Sequence, residues 1–210
     1  MTQPYYTLDS YAAELSRALS TVDINALDLA TRVIYATKGN IYVCGNGGSA
    51  AIAEHLTCDC MKGVAMETEL GQKLNITSLA SNFPLISAIA NDIGYDEIFS
   101  KQIEWQVKEI EWQVKDGVAD VLIAISSSGN SPNILNAIAK AEEKGMWTIA
   151  IVGFDGGKAK QHASTDTSIV IHIDSDNYGI IEDASQAIMH FMAQMMRRWA
   201  SNKDPMDIKY

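Results

Sequence analysis

Five short apolar runs, separated by stretches with helical periodicity, constrain the fold of this chain more than any other feature. Strands that are apolar throughout are buried on both faces, as in a parallel sheet that helices cover from both sides. The pattern therefore predicts one α/β domain built on a parallel sheet. The predicted strands are Ile41–Cys44, Leu74–Leu79, Val121–Ile125, Thr148–Val152 and Ser168–Ile173.

Helical periodicity fills the gaps between these runs and also the first forty residues, where apolar side chains recur at helical spacing from Leu8 to Leu19. The pattern indicates no linker and no second domain. We expect a helical N-terminal segment over residues 1–40, the α/β domain over residues 41–200, and a tail over residues 201–210. The predicted helices that follow the first strand are Ser49–Lys62, Pro84–Ala90, Glu97–Lys115, Pro132–Lys144 and Glu182–Trp199.

The net charge narrows the choice of partners. The 210-residue chain has 16 Lys and Arg against 26 Asp and Glu, which gives a net charge of −10. This charge repels polyanions, so we expect neither nucleic acid nor an anionic membrane as a partner. No apolar run approaches the roughly 20 residues that cross a bilayer, and the N-terminus lacks the pattern of a signal peptide. A small anionic substrate is still compatible with this composition if backbone N–H groups bind it locally.

The cysteines indicate a reducing compartment. Cys44, Cys58 and Cys60 are odd in number and lack the spacing of a zinc ribbon, so we interpret them as free thiols of a cytoplasmic protein. Cys58 and Cys60 are one residue apart, which is a weak indication of a metal site. We favour the alternative that both are small residues within a helix.

A tandem heptad repeat interrupts the regular alternation. Ile103–Glu109 reads IEWQVKE and Ile110–Asp116 reads IEWQVKD. Seven residues make nearly two helical turns, so the second copy can lengthen a helix with little rotation of its faces. One interpretation is a duplication that extends a surface helix. The other is a docking element that presents Trp105 and Trp112 along one stripe.

Two junctions between a predicted strand and the next helix are suited to phosphate binding. Cys44–Ala50 reads CGNGGSA, and its glycines allow the main chain to approach a ligand at a helix N-terminus. Ser126–Pro132 reads SSSGNSP, with Ser131 as a helix N-cap and Pro132 at the first helical position. Neither junction contains Lys or Arg, so hydroxyls, backbone N–H groups and helix dipoles would have to hold the anion. Ligands of parallel sheets bind at this carboxyl edge of the strands.

The first junction also matches a dinucleotide-binding fingerprint through Gly45, Gly47 and Ala50, which would indicate a nicotinamide- or flavin-dependent oxidoreductase. That fingerprint requires an acidic residue at the end of the next strand to bind the ribose. The chain instead continues from Leu79 into Ala80-Ser81-Asn82. A dinucleotide-binding site also assigns no role to the serines of the second junction. We therefore disfavour this interpretation.

Four motifs in the same order resemble the sugar-isomerase (SIS) domain, and within it the phosphoheptose isomerases. They are CGNGGSA at Cys44–Ala50, NDIGYD at Asn91–Asp96, ISSSGNSPN at Ile125–Asn133 and GFDGGK at Gly153–Lys158. The resemblance runs from about Ile41 to Trp199. It implies a three-layer, doubly wound, five-stranded parallel sheet and a homotetramer in which residues 1–40 pack and active sites lie between subunits. It also implies interconversion of sedoheptulose 7-phosphate and D-glycero-D-manno-heptose 7-phosphate, and several family members use zinc.

The resemblance further implies a set of substrate-binding residues. Asn46 and Asp92 match positions that contact the sugar, and Gly47 and Gly48 belong to the loop that receives the phosphate. The hydroxyls that match the family's phosphate-binding serines are Ser49, Ser126, Ser127, Ser128 and Ser131.

The acid–base and metal positions depart from the family. Where the family has His, Glu, Gln and His, this chain has His55, Asp59, Glu182 and His190. The resemblance implies that these four bind zinc, with Asp59 or Glu182 and His190 as proton-transfer residues. His55 and Asp59 lie four residues apart on one helix face, which suits two ligands of one ion. Glu182 and His190 lie eight residues apart, about 12 Å of helix rise, so either Glu182 precedes the helix or different subunits supply the ligands.

Two functional hypotheses follow. The first is an aldose–ketose isomerase of a phosphorylated heptose that uses a metal ion. The second is a non-catalytic SIS protein that binds a sugar phosphate or a replication initiator, which the altered acid–base residues and the Trp-bearing repeat motivate. His162 and His172 match no functional position, and we expect them to be structural.

Overall fold

A computed structural model describes residues 6–64, 74–107, 119–161 and 165–201 of the chain. The helices and strands are, in chain order, α1 (Leu8–Ser20), α2 (Ile24–Ala36), β1 (Asn40–Gly45), α3 (Gly48–Cys58), β2 (Asn75–Ser78), α4 (Phe83–Asp92), α5 (Ser100–Gln106), β3 (Val121–Ser126), α6 (Pro132–Glu143), β4 (Trp147–Val152), α7 (Gly157–Gln161), β5 (Ser168–His172) and α8 (Tyr178–Ser201). A π-helical segment, Asp59–Val64, continues α3, and a 3₁₀ turn, Tyr95–Glu97, precedes α5.

The five strands form one parallel sheet in the order β2-β1-β3-β4-β5. The order reverses direction between β1 and β3, which is the position where doubly wound sheets bind ligands at the carboxyl ends of the strands. The α/β class, the five strands and the helical layers predicted from the sequence are confirmed. The strands begin and end within one or two residues of the predicted bounds.

Apolar side chains fill both sides of the sheet and divide the core into two clusters. Ile41 and Val43 of β1 face a cluster that also contains buried residues of α1, α2, α3 and α8. Tyr42 and Cys44 of the same strand face the second cluster, with buried residues of α4, α5 and α6. Alternate residues of a strand point to opposite faces, so this burial on both sides explains why the strands contain few polar residues.

The N-terminal helices pack on the first of these faces. Thr7 and Ser10 form a capping box that begins α1, and Tyr11 of α1 donates a hydrogen bond of 2.6 Å from its hydroxyl to Asp183 Oδ2 on α8. This bond to a carboxylate raises the pKa of Tyr11 to about 12. Arg17 reaches the loop before α8 and donates to the carbonyl oxygen of Asp174 at 2.9 Å. The second turn of α8 and the loop before this helix are therefore held by α1.

One predicted helix is wrong in extent. The periodicity from Glu97 to Lys115 predicts a continuous helix, but α5 ends at Gln106 and Val107 has an extended backbone with φ −90° and ψ 132°. The first heptad copy is thus not helical throughout, so the repeat does not simply lengthen α5. The second copy, including Trp112, lies outside the described residues, as do His162 and the predicted tail from residue 202.

None of the helices in the described part of the chain is both long and apolar enough to cross a membrane.

Candidate active site

The loop from Ser126 to Ser131, here called the serine loop, follows β3 at the carboxyl edge of the sheet. It turns at Gly129, whose φ of +63° is readily adopted only by glycine. Ser131 is the N-cap residue of α6, but its side chain makes no capping hydrogen bond. The N-cap position predicted from the sequence is therefore correct, while the hydroxyl of Ser131 is not used for capping.

The loop between β4 and α7 braces the serine loop. The N–H of Gly153 donates to the carbonyl oxygen of Ser127 at 2.8 Å, and that of Ala159 donates to Gly129 at 2.9 Å. Asn130 accepts from the N–H of Lys158 at 3.1 Å through Oδ1 and donates to the carbonyl oxygen of Ser128 at 2.9 Å through Nδ2. The motif GFDGGK thus shapes the serine loop through its backbone.

The loop from Gly45 to Ser49, here called the glycine loop, follows β1 and begins α3. A Cβ at Gly45 would lie 2.6 Å from the carbonyl carbon of Ser49, so only glycine fits this close approach. Gly47 has a φ of +52° and occupies the N-cap position, which leaves the first N–H groups of α3 without a side-chain cap.

A pair of amides joins the two loops. Asn46 Nδ2 donates to Asn133 Oδ1 at 2.9 Å, and Asn133 Nδ2 donates back to Asn46 Oδ1 at 2.8 Å. Tyr95, from the motif NDIGYD, donates its hydroxyl to the same Asn46 oxygen at 3.1 Å. The two loops are therefore fixed relative to one another. The sequence analysis missed Asn133 and Tyr95, although both lie inside motifs that it singled out.

The two loops enclose a small cavity of about 140 Å³, here called the serine cavity. It gathers most of the predicted phosphate-binding residues, and its lining contains neither Lys nor Arg. The lining residues are Asn46, Ser49, Ile125, Ser126, Ser127, Ser128, Ser131, Tyr178 and Glu182. Drug-sized ligands fill pockets of about 300–1,000 Å³, so this cavity suits one end of a ligand such as a phosphate group.

Two predicted substrate residues are placed differently. Asp92 is the exposed last residue of α4 and accepts a hydrogen bond of 2.7 Å from its neighbour Asn91, and it does not line the serine cavity. Gly48 lies directly beneath the carboxylate of Glu182, since a Cβ at this position would be 2.6 Å from both carboxylate oxygens. Within one chain, Tyr95 rather than Asp92 carries the contact from this motif to the site.

Three of the four predicted metal ligands meet between α3 and α8, and His55, Asp59 and His190 are here called the metal group. Their ligand atoms lie within 4.8 Å of one another. Nε2 of His55 is 3.3 Å from Nε2 of His190 and 3.5 Å from Asp59 Oδ1, and Asp59 Oδ2 is 3.7 Å from His190 Nε2. In a tetrahedral site with bonds of about 2.0–2.1 Å, ligand atoms lie about 3.3–3.4 Å apart. The donors and spacing of the metal group therefore fit a zinc-like ion.

Glu182 does not belong to this group within one chain. Because α8 already begins at Tyr178, Glu182 is helical and stands about 12 Å of helix rise before His190. The prediction that Glu182 binds the same ion is thus not met inside one protomer. Another side chain of α8 lies beside the group instead: Gln186 Nε2 is 3.2 Å from His190 Nε2. Gln186 was not predicted from the sequence, although it stands one helical turn before His190.

The cysteines and His172 take no part in the metal group. Cys60 is buried in the core, and burial raises the pKa of its thiol to about 12, which disfavours the thiolate that binds metals. Cys58 is an exposed free thiol. His172 has Nε2 2.8 Å from the carbonyl oxygen of Phe154, whose φ is +48°. This contact supports the loop after β4, which agrees with the structural role expected for His172.

Comparison with known proteins gives the family. The SIS domain family model matches residues 9–153. A phosphoheptose isomerase of Helicobacter pylori strain P12 is 34% identical over 167 residues, which are 80% of this chain and 79% of that protein. The phosphoheptose isomerase of Coxiella burnetii strain Dugway 5J108-111 is 36% identical over 158 residues, 75% of this chain and 73% of that one. The chain belongs to the phosphoheptose isomerase family of SIS-domain proteins.

Solved structures of phosphoheptose isomerases share the fold. The one from Francisella tularensis superposes with a TM-score of 0.79 at 27% identity, covering 91% of this chain and 96% of that chain. The one from Neisseria gonorrhoeae has a TM-score of 0.76 at 29% identity, covering 90% and 96%. Membership of the phosphoheptose isomerase family decides against the dinucleotide-binding interpretation of the glycine loop.

Proposed function

We propose that this protein is an aldose–ketose isomerase that interconverts D-sedoheptulose 7-phosphate and D-glycero-D-manno-heptose 7-phosphate, a step toward heptose for surface polysaccharides. The observation that carries the proposal is that the chain has both the serine cavity and the metal group, and that α3 and α8 contribute residues to each. A phosphosugar isomerase needs both, one part to bind the phosphate and the other to polarise a carbonyl. Relatives named phosphoheptose isomerase, at 34% and 36% identity, support the substrate.

The serine cavity binds the phosphate without a cationic side chain. Its hydroxyls donate hydrogen bonds to the phosphate oxygens, and the uncapped N-terminus of α3 adds backbone N–H groups and the positive end of the helix dipole. Hydrogen bonds to a charged group contribute about 1.5–3 kcal/mol each, so several of them suffice for binding. The braces from the loop after β4 hold these donors in place before the ligand arrives.

Glu182 moves the substrate proton. Its carboxylate lines the serine cavity and covers Gly48, so it faces the carbon chain of a sugar whose phosphate occupies the cavity. An open-chain heptose whose C7 phosphate occupies the cavity folds back to bring C1 to this carboxylate. The carboxylate takes the proton from C1 and returns it to C2, and a proton passes from O1 to O2 as the 1,2-enediol forms and collapses. Asp59 is surrounded by the Nε2 atoms of two histidines, which suits a ligand rather than a base.

His55, Asp59 and His190 hold the metal ion, for which zinc fits best because the donors are imidazole nitrogen and carboxylate oxygen. When bound, a divalent ion at this position supplies Lewis-acid polarisation of the carbonyl group. The carboxylate of Asp59 is one methylene shorter than the family's Glu. In this chain the π-helical segment starts at Asp59 and places its oxygens 3.5 and 3.7 Å from the two histidines.

The complete active site forms between protomers of a homotetramer. Within one chain the metal group lies further along α3 and α8 than the serine cavity, because six residues separate Ser49 from His55, about 9 Å of helix rise. Met61 and Phe191, next in sequence to the metal group, are 61% and 41% exposed. We infer that another chain covers these two apolar side chains. The metal group of one protomer then faces Glu182 and the serine cavity of a neighbour.

We place the tetramer in the cytoplasm, which agrees with three free cysteines.

The test is an NMR assay of sedoheptulose 7-phosphate in D₂O with zinc supplied. We expect the aldose phosphate to appear with deuterium at C2, because the abstracted proton exchanges with solvent. Unphosphorylated sedoheptulose is the matched control and should not react at comparable concentration. Absence of turnover with zinc bound would exclude this substrate.

A non-catalytic sugar-phosphate-binding protein is the second candidate, and the exchange of the family's Glu for Asp59 favours it. Metal analysis and calorimetry of the purified protein distinguish the two. The isomerase contains a stoichiometric ion that is lost in His55→Ala, whereas the binding protein binds the sugar phosphate equally well with and without metal.

A further inference from the structure

Gln186, which the sequence did not predict as a site residue, lies next to one residue of the metal group. It stands one helical turn before His190 on α8, with its Nε2 3.2 Å from Nε2 of His190. The same histidine nitrogen is 3.3 Å from Nε2 of His55 and 3.7 Å from the carboxylate of Asp59. Gln186 thus adjoins the histidine at which the three side chains of the metal group meet.

These contacts do not form a satisfied hydrogen-bond network. A histidine nitrogen has either one proton or one lone pair, and Nε2 of His190 faces three polar groups at once. The separation of 3.2 Å between the Gln186 amide and His190 is also close to the spacing of two ligands of one tetrahedral ion, about 3.3–3.4 Å. The oxygen and nitrogen of a glutamine amide are interchanged by a simple flip of the group. Oε1 of Gln186 can therefore occupy the position next to His190.

We propose that Gln186 is the fourth metal ligand from the same chain, binding the ion through Oε1. It takes the ligand position that the sequence suggests for Glu182, whose carboxylate instead covers Gly48. This exchange leaves Glu182 available for the substrate. It also leaves the ion more positive, because the ligand set has one carboxylate, two neutral imidazoles and one neutral amide. The inference rests on the proposed function insofar as it assigns a resident metal ion to this site.

The test measures metal affinity on the purified full-length protein by competition for Zn²⁺ with a chromophoric chelator. We expect Gln186→Ala to weaken Zn²⁺ binding by at least about 100-fold, because removal of a partner that only supports a ligand already costs about 10- to 100-fold. Gln186→Glu, which keeps an oxygen at the same reach, should retain the affinity. Gln194→Ala is the matched control, since Gln194 lies two turns further along α8 and lines a neighbouring cavity with Asp59 and His190. It should bind Zn²⁺ like the parent protein.

The visible absorption of the Co²⁺-substituted protein provides a second readout, because its bands respond to the number and type of ligands. Gln186→Ala should change these bands and Gln194→Ala should not. The proposal is overturned if Gln186→Ala binds Zn²⁺ with parent affinity and leaves the Co²⁺ spectrum unchanged. It is overturned in favour of a ligand from a neighbouring protomer if Glu182→Ala loses Zn²⁺ while Gln186→Ala does not. Neither readout requires a sugar, so the failure of this inference and the failure of the isomerase assay are separate results.

Discussion

The absence of a side chain at Gly48 determines where the carboxylate of Glu182 can lie. Because a Cβ at position 48 would lie 2.6 Å from both carboxylate oxygens of Glu182, the missing side chain creates the space that the carboxylate occupies. The sequence suggests Gly48 only as a residue whose backbone approaches a phosphate. In the structure, the missing side chain of Gly48 also allows Glu182 to face the serine cavity, away from the metal group.

Glu182→Gln should separate catalysis from binding. The amide keeps the shape of the side chain but cannot accept the substrate proton, so kcat should fall about 10²- to 10⁴-fold. Binding of inorganic phosphate should stay the same or become tighter, because a negative charge is removed from the lining of the cavity. The measurements are turnover by NMR and phosphate affinity by calorimetry. A variant with parent kcat would transfer the role of base to Asp59.

The predicted site residues that the structure gathers around one cavity are those whose place is fixed by local chain geometry. The serines follow strand β3 at the carboxyl edge of a parallel sheet, so their place at a ligand site follows from the strand prediction itself. The residues that were not predicted form hydrogen bonds with partners that lie far away in sequence or on a neighbouring helical turn. They are Asn133, Tyr95 and Gln186. Only the i, i+4 relation of Gln186 to His190 offered a signal, and glutamines on helices are too common for that spacing to be informative.

Among the elements, the serine loop depends on the loop that follows β4. Gly157 has a φ of +54°, and a Cβ there would collide with the carbonyl oxygen of Ser128 and with the amide of Asn130. The two loops can therefore pack together only while position 157 lacks a side chain.

Gly157→Ala should weaken phosphate binding by more than the loss of a single serine hydroxyl, at least about 10-fold, because it displaces several donors together. Gly145→Ala is the control, since Gly145 also has a positive φ, of +69°, but lies before β4 at the opposite edge of the sheet. Both variants should lose about 1–2 kcal/mol of stability from backbone strain, and Gly157→Ala should lose more because its Cβ also collides with the serine loop; urea unfolding measures both. Equal phosphate affinities in the two variants would contradict a bracing role.

The helix predicted from Glu97 to Lys115 failed for an identifiable reason. The second heptad copy repeats the apolar spacing of the first, so the periodicity continues past the true end of α5. No Gly, Pro or Asn stands between Ile103 and Asp116 to indicate an end. Val107 is nevertheless extended and buried in the second core cluster, a tertiary contact that sequence periodicity does not report.

For the whole molecule, the net charge of −10 opposes the approach of a sugar phosphate. The serine cavity contributes no cationic side chain to offset this repulsion. Binding strength therefore comes from short-range donors, and the long-range field acts against the ligand.

The association rate constant for the sugar phosphate should accordingly rise as NaCl increases from about 10 to 150 mM, because salt screens the repulsion. We expect an increase of about 2- to 10-fold, measured by stopped-flow tryptophan fluorescence. An uncharged sugar analogue should show no such dependence. A rate constant that falls with salt would indicate that cationic groups of a neighbouring protomer guide the ligand.

The bond between Tyr11 and Asp183 links the N-terminal helix to the residue that adjoins Glu182. No residue of α1 lines the serine cavity, yet α1 holds the helical turn on which the proposed base is mounted. Shortening the N-terminus would consequently look like a defect in chemistry, with slow turnover and unimpaired phosphate capture, although the deleted segment contributes no residue to the serine cavity.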